Sequence, residues 1–129
     1  VAAHTLGILN TTGGDYDEAH LFFLRGACYG HLDSQFNVAV NYFNGKGVEK
    51  NYVLAILWSD IVRRQGDKEI NNLLQQLSPL KDQLNDDSMS VLEENLKKIK
   101  DAFDSNEDKQ ISAVLLKITA LHLNNTLAQ

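Results

Sequence analysis

Histidine and cysteine side chains could carry metal or nucleophilic chemistry in this chain, so their spacing is considered first. The histidines are His4, His20, His31 and His122, and none of them forms the H-x-x-H or H-E-x-x-H spacing of a helical zinc site. We therefore expect these histidines at the surface or in helix caps, and no metal site. Cys28 is the single cysteine, which excludes an intrachain disulfide. The expectation for Cys28 is a buried, inert thiol, and a Cys-His nucleophile is the alternative.

Two further stretches imitate ligand-binding loops without completing them. The segment Gly45-Lys46-Gly47 is basic and glycine-rich, but it lacks the preceding glycine and the following Ser or Thr of a phosphate-binding loop. The segment 104–108 starts like a calcium loop, but Lys109 stands where glycine is needed and Leu115 where a bidentate Glu is needed. Both segments are more typical of helix ends, so no cofactor is expected.

The bulk properties predict a small, acidic and soluble protein. Its 129 residues fit one domain, taken as residues 1–129. A formal charge of -5 at pH 7 gives no electrostatic attraction to nucleic acid or to an anionic membrane surface. Because no run of about twenty apolar residues is present, we expect no membrane insertion. The chain begins at Val1 rather than methionine, so the compartment stays open and export after removal of a signal peptide is one interpretation.

The elements that position these side chains are predicted to be helices. Apolar residues recur at helical spacing, and the sequence shows no alternation of the kind that strands require, which predicts an all-α chain. The predicted order alternates inner (A) and outer (B) helices. A first A helix from Ala2 to Asn10 is followed by a B helix that is capped by Asp15 and ended by Gly30. A second A helix begins at Asp33 or Ser34 and ends at Gly45, a second B helix is capped by Asn51 and ended by Gly66, and a third A helix begins at Asp67.

The pattern changes beyond Ser78 and Pro79. A capping box of Ser90 and Glu93 predicts the start of a further helix, and a last helix carries apolar residues from Ile111 to Leu121. We expect these two helices to fold back on each other as an antiparallel pair that covers the apolar end of the preceding stack. The predicted division is therefore residues 1–78 for the stack and 79–129 for the cap.

The first part of the chain repeats itself. Ala19 and Ala55 are 36 residues apart, as are Gly30 and Gly66. A period of this size is typical of stacked helix pairs, which cannot enclose a core singly and leave an extended surface for another protein. Self-similarity thus predicts an αα-hairpin solenoid of two to three repeats.

The residues that carry the period resemble Sel1-like repeats, a group within the tetratricopeptide-like helical repeats. The family pattern of an aromatic residue, a G-x-G-V turn, an acidic cap, an alanine, a tryptophan and a glycine is followed at Tyr42, Gly45, Gly47, Val48, Ala55, Trp58 and Gly66. Asn51 stands at the position of the acidic cap. The resemblance extends from Ala2 to Leu77 and implies a protein or peptide partner, bound in the concave surface of the A helices. By register, this implied groove contains His4, Ile8, Thr11, Phe36, Val40, Phe43, Asn72 and Gln76.

Three functional hypotheses follow, together with the possibility that the chain fills its own groove. The main hypothesis is a non-catalytic interaction module or scaffold, in which Phe36, Val40 and Phe43 form one apolar stripe of a helix. The alternatives are a hydrolase that acts on cell-wall or small-molecule substrates, and a self-association module that forms a homodimer. A further possibility is that the last helix of the chain, near Ile111 to Leu121, occupies the groove itself.

Overall fold

The protein is all-helical in the part of the chain that the structure describes. The structure is a computed structural model that describes residues 16–128, with side chains as far as residue 121. The predicted first A helix and the Asp15 cap therefore lie outside the described residues. Within them the chain forms six α-helices and no strand: α1 (Tyr16–Cys28), α2 (Leu32–Asn44), α3 (Tyr52–Arg64), α4 (Ile70–Lys81), α5 (Asp86–Ser105) and α6 (Asp108–Ala128).

Several helix ends lie where the sequence predicts them. The side chain of Asn51 caps α3, since its Oδ1 accepts a hydrogen bond from the N–H of Leu54 at 3.0 Å. Gly45 ends α2 with a φ of 72°, and its N–H donates to the carbonyl of Asn41 at 2.8 Å. Glycine suits this position because a left-handed backbone costs it no steric clash.

Two predicted helix starts were wrong by a few residues. Helix α2 begins at Leu32 rather than at Asp33 or Ser34, because His31 is the cap and its Nδ1 accepts from the Ser34 N–H at 3.3 Å. Helix α4 begins at Ile70 rather than at Asp67. The Asp67 carboxylate instead accepts from the N–H of Glu69 at 2.8 Å, which stabilises a turn ahead of the helix.

The capping box predicted at Ser90 and Glu93 was wrong. Helix α5 starts at Asp86, and the Oδ1 of Asn85 accepts a hydrogen bond from the N–H of Ser88 at 2.8 Å. Asn85 is in the extended conformation that an N-cap requires, with φ of -71° and ψ of 170°. Ser90 is therefore an exposed residue inside the helix.

Helix α3 is the centre of the fold. It packs against α2 and α4, its neighbours in sequence, and also against α5 and α6. Consequently every residue from Leu54 to Val62 is buried, including Trp58 at 0% exposure. The two polar members of this run are Ser59 and Asp60, and the carboxylate of Asp60 is bound by Arg63 and Arg64 at 2.6 and 2.8 Å.

The last two helices cover one side of this centre. Helices α5 and α6 pack on each other and on α3, and α6 also packs on α1. At that contact the side chain of Leu115 approaches the position that a Cβ of Gly30 would occupy, at 4.0 Å. The terminal pair thus lies along α1 and α3, whereas α2 and α4 pack on other sides of α3.

A buried glutamine fixes the position of α2 relative to its neighbours. Gln35 is 0% exposed, and its Nε2 donates to the carbonyl of Ala27 at 3.1 Å, near the end of α1. Its Oε1 accepts from Gln65, the residue that follows α3. One side chain therefore satisfies polar groups at the ends of two helices, and this arrangement holds the start of α2 in place.

Candidate functional site

Helix α2 carries two apolar stripes with different surroundings. Val38 and Tyr42 face the interior and are 0% and 1% exposed. Phe36, Val40 and Phe43 are only partly buried, and they pack against the edge of the same core. The second stripe follows the i, i+4, i+7 spacing of one helix face, so its members point in a common direction.

This second stripe forms one wall of a groove between α2 and α4. The groove has a volume of about 530 Å³. Short connections link α2 to α3 and α3 to α4, so α2 and α4 run in the same direction on the surface of α3. The lining residues are Phe36, Val40, Phe43 and Asn44 from α2, with Glu69 immediately before α4 and Asn72, Leu73 and Gln76 within α4.

The structure brings together five of the eight residues that the sequence places in a groove. Phe36, Val40 and Phe43 line one side, and Asn72 and Gln76 line the other. The remaining three lie outside the described residues: His4, Ile8 and Thr11.

Three lining residues were missed at the level of sequence. Glu69 and Leu73 share a face with Asn72 and Gln76, because positions 69, 72, 73 and 76 follow the i, i+3, i+4, i+7 spacing of a helix. Extending the stripe by one turn in the N-terminal direction would have found Glu69. Asn44 lies at the last position of α2, where the same extension in the C-terminal direction would have included it.

The two walls of the groove differ in chemistry. The α2 wall presents two aromatic rings and Val40, and the ring of Phe43 is steadied by a tilted contact with Tyr52 at 6.2 Å between centroids. The α4 wall has three exposed polar residues, Glu69, Asn72 and Gln76, beside the buried Leu73. The amide of Gln76 donates to the carbonyl of Asn72 at 3.5 Å, a weak contact that a better acceptor would replace.

Amide side chains suit the recognition of a peptide backbone. Each carries both donors and an acceptor, so it can pair with the N–H and C=O groups of an extended chain. Asn72 and Gln76 lie one helical turn apart and therefore place two such groups along the groove. An apolar wall for side chains opposite a polar wall for backbone is a suitable combination for a peptide segment.

Two histidines have side chains that the structure describes: one caps a helix and the other lies in the interior, while His4 and His122 lie outside the described side chains. His31 caps α2, which agrees with the expectation of a position in a helix cap. His20 contradicts the expectation of a surface or cap position, because it is 1% exposed. Its ring contacts Tyr42 edge-on at 5.0 Å between centroids, and its Nδ1 lies 3.3 Å from the Nδ2 of Asn41. His20 therefore joins α1 to α2 inside the protein, where helical periodicity alone would have placed an apolar residue.

Cys28 and Tyr42 are both poorly suited to ionise. Cys28 is half-buried, and burial raises the pKa of its thiol above the ordinary value. Burial likewise raises the pKa of Tyr42 well above that of a free phenol. At neutral pH the thiolate population of Cys28 is thus lower than that of an exposed cysteine.

Neither a metal centre nor a membrane span is found in the described residues. Within residues 16–121 no three side chains of His, Cys, Asp or Glu come together as ligands would. The helices over the same part of the chain include none with the length and apolar character needed to cross a bilayer.

Comparison of the chain with protein-family models, with characterised proteins and with solved structures gave no match. The geometry of the groove is therefore the basis for the functional argument.

Proposed function

We propose that this protein is a non-catalytic interaction module that binds a peptide segment of a partner protein in the groove between α2 and α4. The observation that carries the proposal is the pairing of a half-buried apolar stripe with an exposed amide wall. The apolar residues of the stripe remain partly accessible to a ligand, and hydrogen-bonding side chains lie beside them. Such a surface fits a ligand that supplies both apolar side chains and a backbone.

The proposal includes an αα-hairpin solenoid of Sel1-like type as the scaffold. Helices α1 and α3 each have 13 residues and start 36 positions apart, the same step that relates the sequence repeats. Ala19 and Ala55 hold equivalent positions in them and are 1% and 0% exposed. Small side chains at such contacts allow helices to approach closely, as stacked hairpins require. In this arrangement α2 and α4 are successive A helices, and the groove lies on their shared face.

Hydrolysis is a weaker candidate for the same groove. General acid–base or nucleophilic catalysis needs at least two reactive groups within hydrogen-bond reach of each other. Glu69 is the one ionisable side chain among the lining residues that the structure describes. The amide side chains of the groove can form hydrogen bonds to a ligand, but they supply no nucleophile for hydrolysis.

The described part of the last helix does not occupy the groove. Residues from Ile111 to Leu121 belong to α6, which packs on α1, α3 and α5. None of them is among the lining residues. The hypothesis that the chain fills its own groove with this helix therefore loses its main support, and an external segment becomes the better occupant.

Selection of peptides provides the test of this proposal. A library of random peptides displayed on phage would be selected on the immobilised protein, and the affinity of an enriched peptide measured by titration calorimetry. The double variant Asn72→Ala with Gln76→Ala removes two side-chain amides from the groove. Because a hydrogen bond contributes about 0.5–1.5 kcal/mol, we expect affinity to fall roughly tenfold.

The chain offers a matched control for this experiment. Asn71 and Gln75 are the adjacent residues of the same types, they are exposed, and neither lines the groove. The double variant Asn71→Ala with Gln75→Ala should bind the peptide as the unaltered protein does. Equal affinities of the two double variants, or a library that yields no enriched peptide, would refute the proposed function.

A further inference from the structure

We infer that the groove prefers a basic partner segment, in which a lysine or arginine flanks the apolar side chains and pairs with Glu69. This inference rests on the proposed function and adds the charge of the partner and the end of the groove at which that charge lies.

The carboxylate of Glu69 forms no capping hydrogen bond and no ion pair with the described residues. Glu69 occupies the N-cap position of α4, yet its side chain makes no capping hydrogen bond there. The ion pairs found among residues 16–121 do not include it. Glu69 is also exposed, so a ligand can reach its carboxylate without displacing a protein cation.

None of the described side chains that line the groove offsets this negative charge. No lining residue described in the structure is a cation, and the adjacent Lys68 is not part of the lining. The chain as a whole has a formal charge of -5 at pH 7. A basic ligand is therefore attracted to this surface and an acidic one is repelled, and both effects weaken as salt increases.

Topology places the charge at one end of the groove. Glu69 immediately precedes α4, and Phe36 lies near the start of α2, which runs in the same direction. Asn44 is at the end of α2 and marks the opposite, uncharged end. A bound segment should therefore have its basic residue close to the side chain that contacts Phe36.

The length of the groove limits the segment that it recognises. Positions 36 to 43 of α2 and 69 to 76 of α4 each span seven steps of a helix, or about 10 Å. An extended peptide covers this length with about three or four residues. The expected recognition element is thus short, with apolar side chains and one Lys or Arg at a fixed end.

The peptides selected on phage test this inference directly. Enriched sequences should contain a Lys or Arg at a constant offset from the apolar residues. Replacing that residue of the peptide by Ala should weaken binding about two- to fivefold, the range of an exposed ion pair, and raising the salt concentration should reduce the difference.

Variants of the protein complete the test and separate it from the proposed function. Glu69→Gln should weaken binding of the basic peptide by a similar factor, and Glu69→Lys should weaken it further. The control Glu93→Lys, at an exposed position of α5, should leave the affinity unchanged. If Asn72→Ala with Gln76→Ala weakens binding but Glu69→Gln does not, the groove binds peptide and the inference about charge is wrong.

Discussion

At the scale of single residues, Gly47 shows how one position can depend on a distant part of the chain. Gly47 has a φ of 75° and lies in the turn between α2 and α3. A Cβ at this position would overlap the backbone carbonyl of Tyr16, the first residue of α1. The turn therefore contacts the start of α1 at a distance that only glycine allows.

Two glycine variants separate this contact from backbone strain. Gly66 has a φ of 98°, but a Cβ there would meet no atom within 4 Å. Gly66→Ala should thus cost only the left-handed conformation, about 1–2 kcal/mol. Gly47→Ala should cost that amount and the overlap with Tyr16, roughly 3 kcal/mol or more in total. Urea titration of both variants gives their free energies of unfolding. Equal losses of stability in the two variants would show that Gly47 does not depend on the contact with Tyr16.

The sequence predicts the turn at this position but not the reason for it. The G-x-G spacing indicates a helix end, since glycine favours the left-handed backbone that follows many helices. The contact between Gly47 and Tyr16 joins residues about thirty positions apart. No local pattern contains that information. The same applies to His20, whose ring Nδ1 lies 3.3 Å from the Nδ2 of Asn41 in the interior.

At the scale of helices, the start of α5 can be tested with variants of the observed cap, Asn85, and of the cap predicted from sequence, Ser90. Asn85→Ala removes the side chain that accepts from the N–H of Ser88, and should destabilise the protein by about 1 kcal/mol. Ser90→Ala changes an exposed residue inside α5, where alanine has the higher helix propensity, so its effect should be close to zero. Chemical denaturation of both variants gives the comparison. A larger loss of stability for Ser90→Ala than for Asn85→Ala would support the predicted capping box.

The error in this helix start has a simple physical origin. Asn85, Asp86, Asp87 and Ser88 are all able to cap a helix, and Ser90 with Glu93 adds the spacing of a capping box. Which residue caps depends on where the backbone leaves the extended conformation. Here that point is Asn85, whose φ of -71° and ψ of 170° are the extended conformation of an N-cap.

At the scale of the whole molecule, periodicity predicts which face of a helix is apolar but not which helix covers it. The stripes of α5 and α6 indicate burial, and both helices are buried along one side. Helices α5 and α6 lie along α1 and α3, and their contacts contribute to the complete burial of α3. The groove residues of α2 and α4 were predictable because one helix face determines their register.

The proposed function requires that the stripe of Phe36, Val40 and Phe43 is a binding surface and not part of the interior. The variant Phe36→Ala tests this requirement when both its stability and its affinity for a peptide are measured. Because Phe36 is only partly buried, the loss of stability should be about 1–2 kcal/mol. Ile61→Ala, at 0% exposure in α3, should cost about 2–5 kcal/mol and serves as the reference for an interior residue.

The decisive measurement is the affinity of the folded Phe36→Ala variant for a peptide selected on the unaltered protein. We expect this affinity to fall at least about tenfold while the variant stays folded, since a contact of an aromatic side chain is lost. A variant that is destabilised as strongly as Ile61→Ala and yet binds the peptide with unchanged affinity would contradict the account.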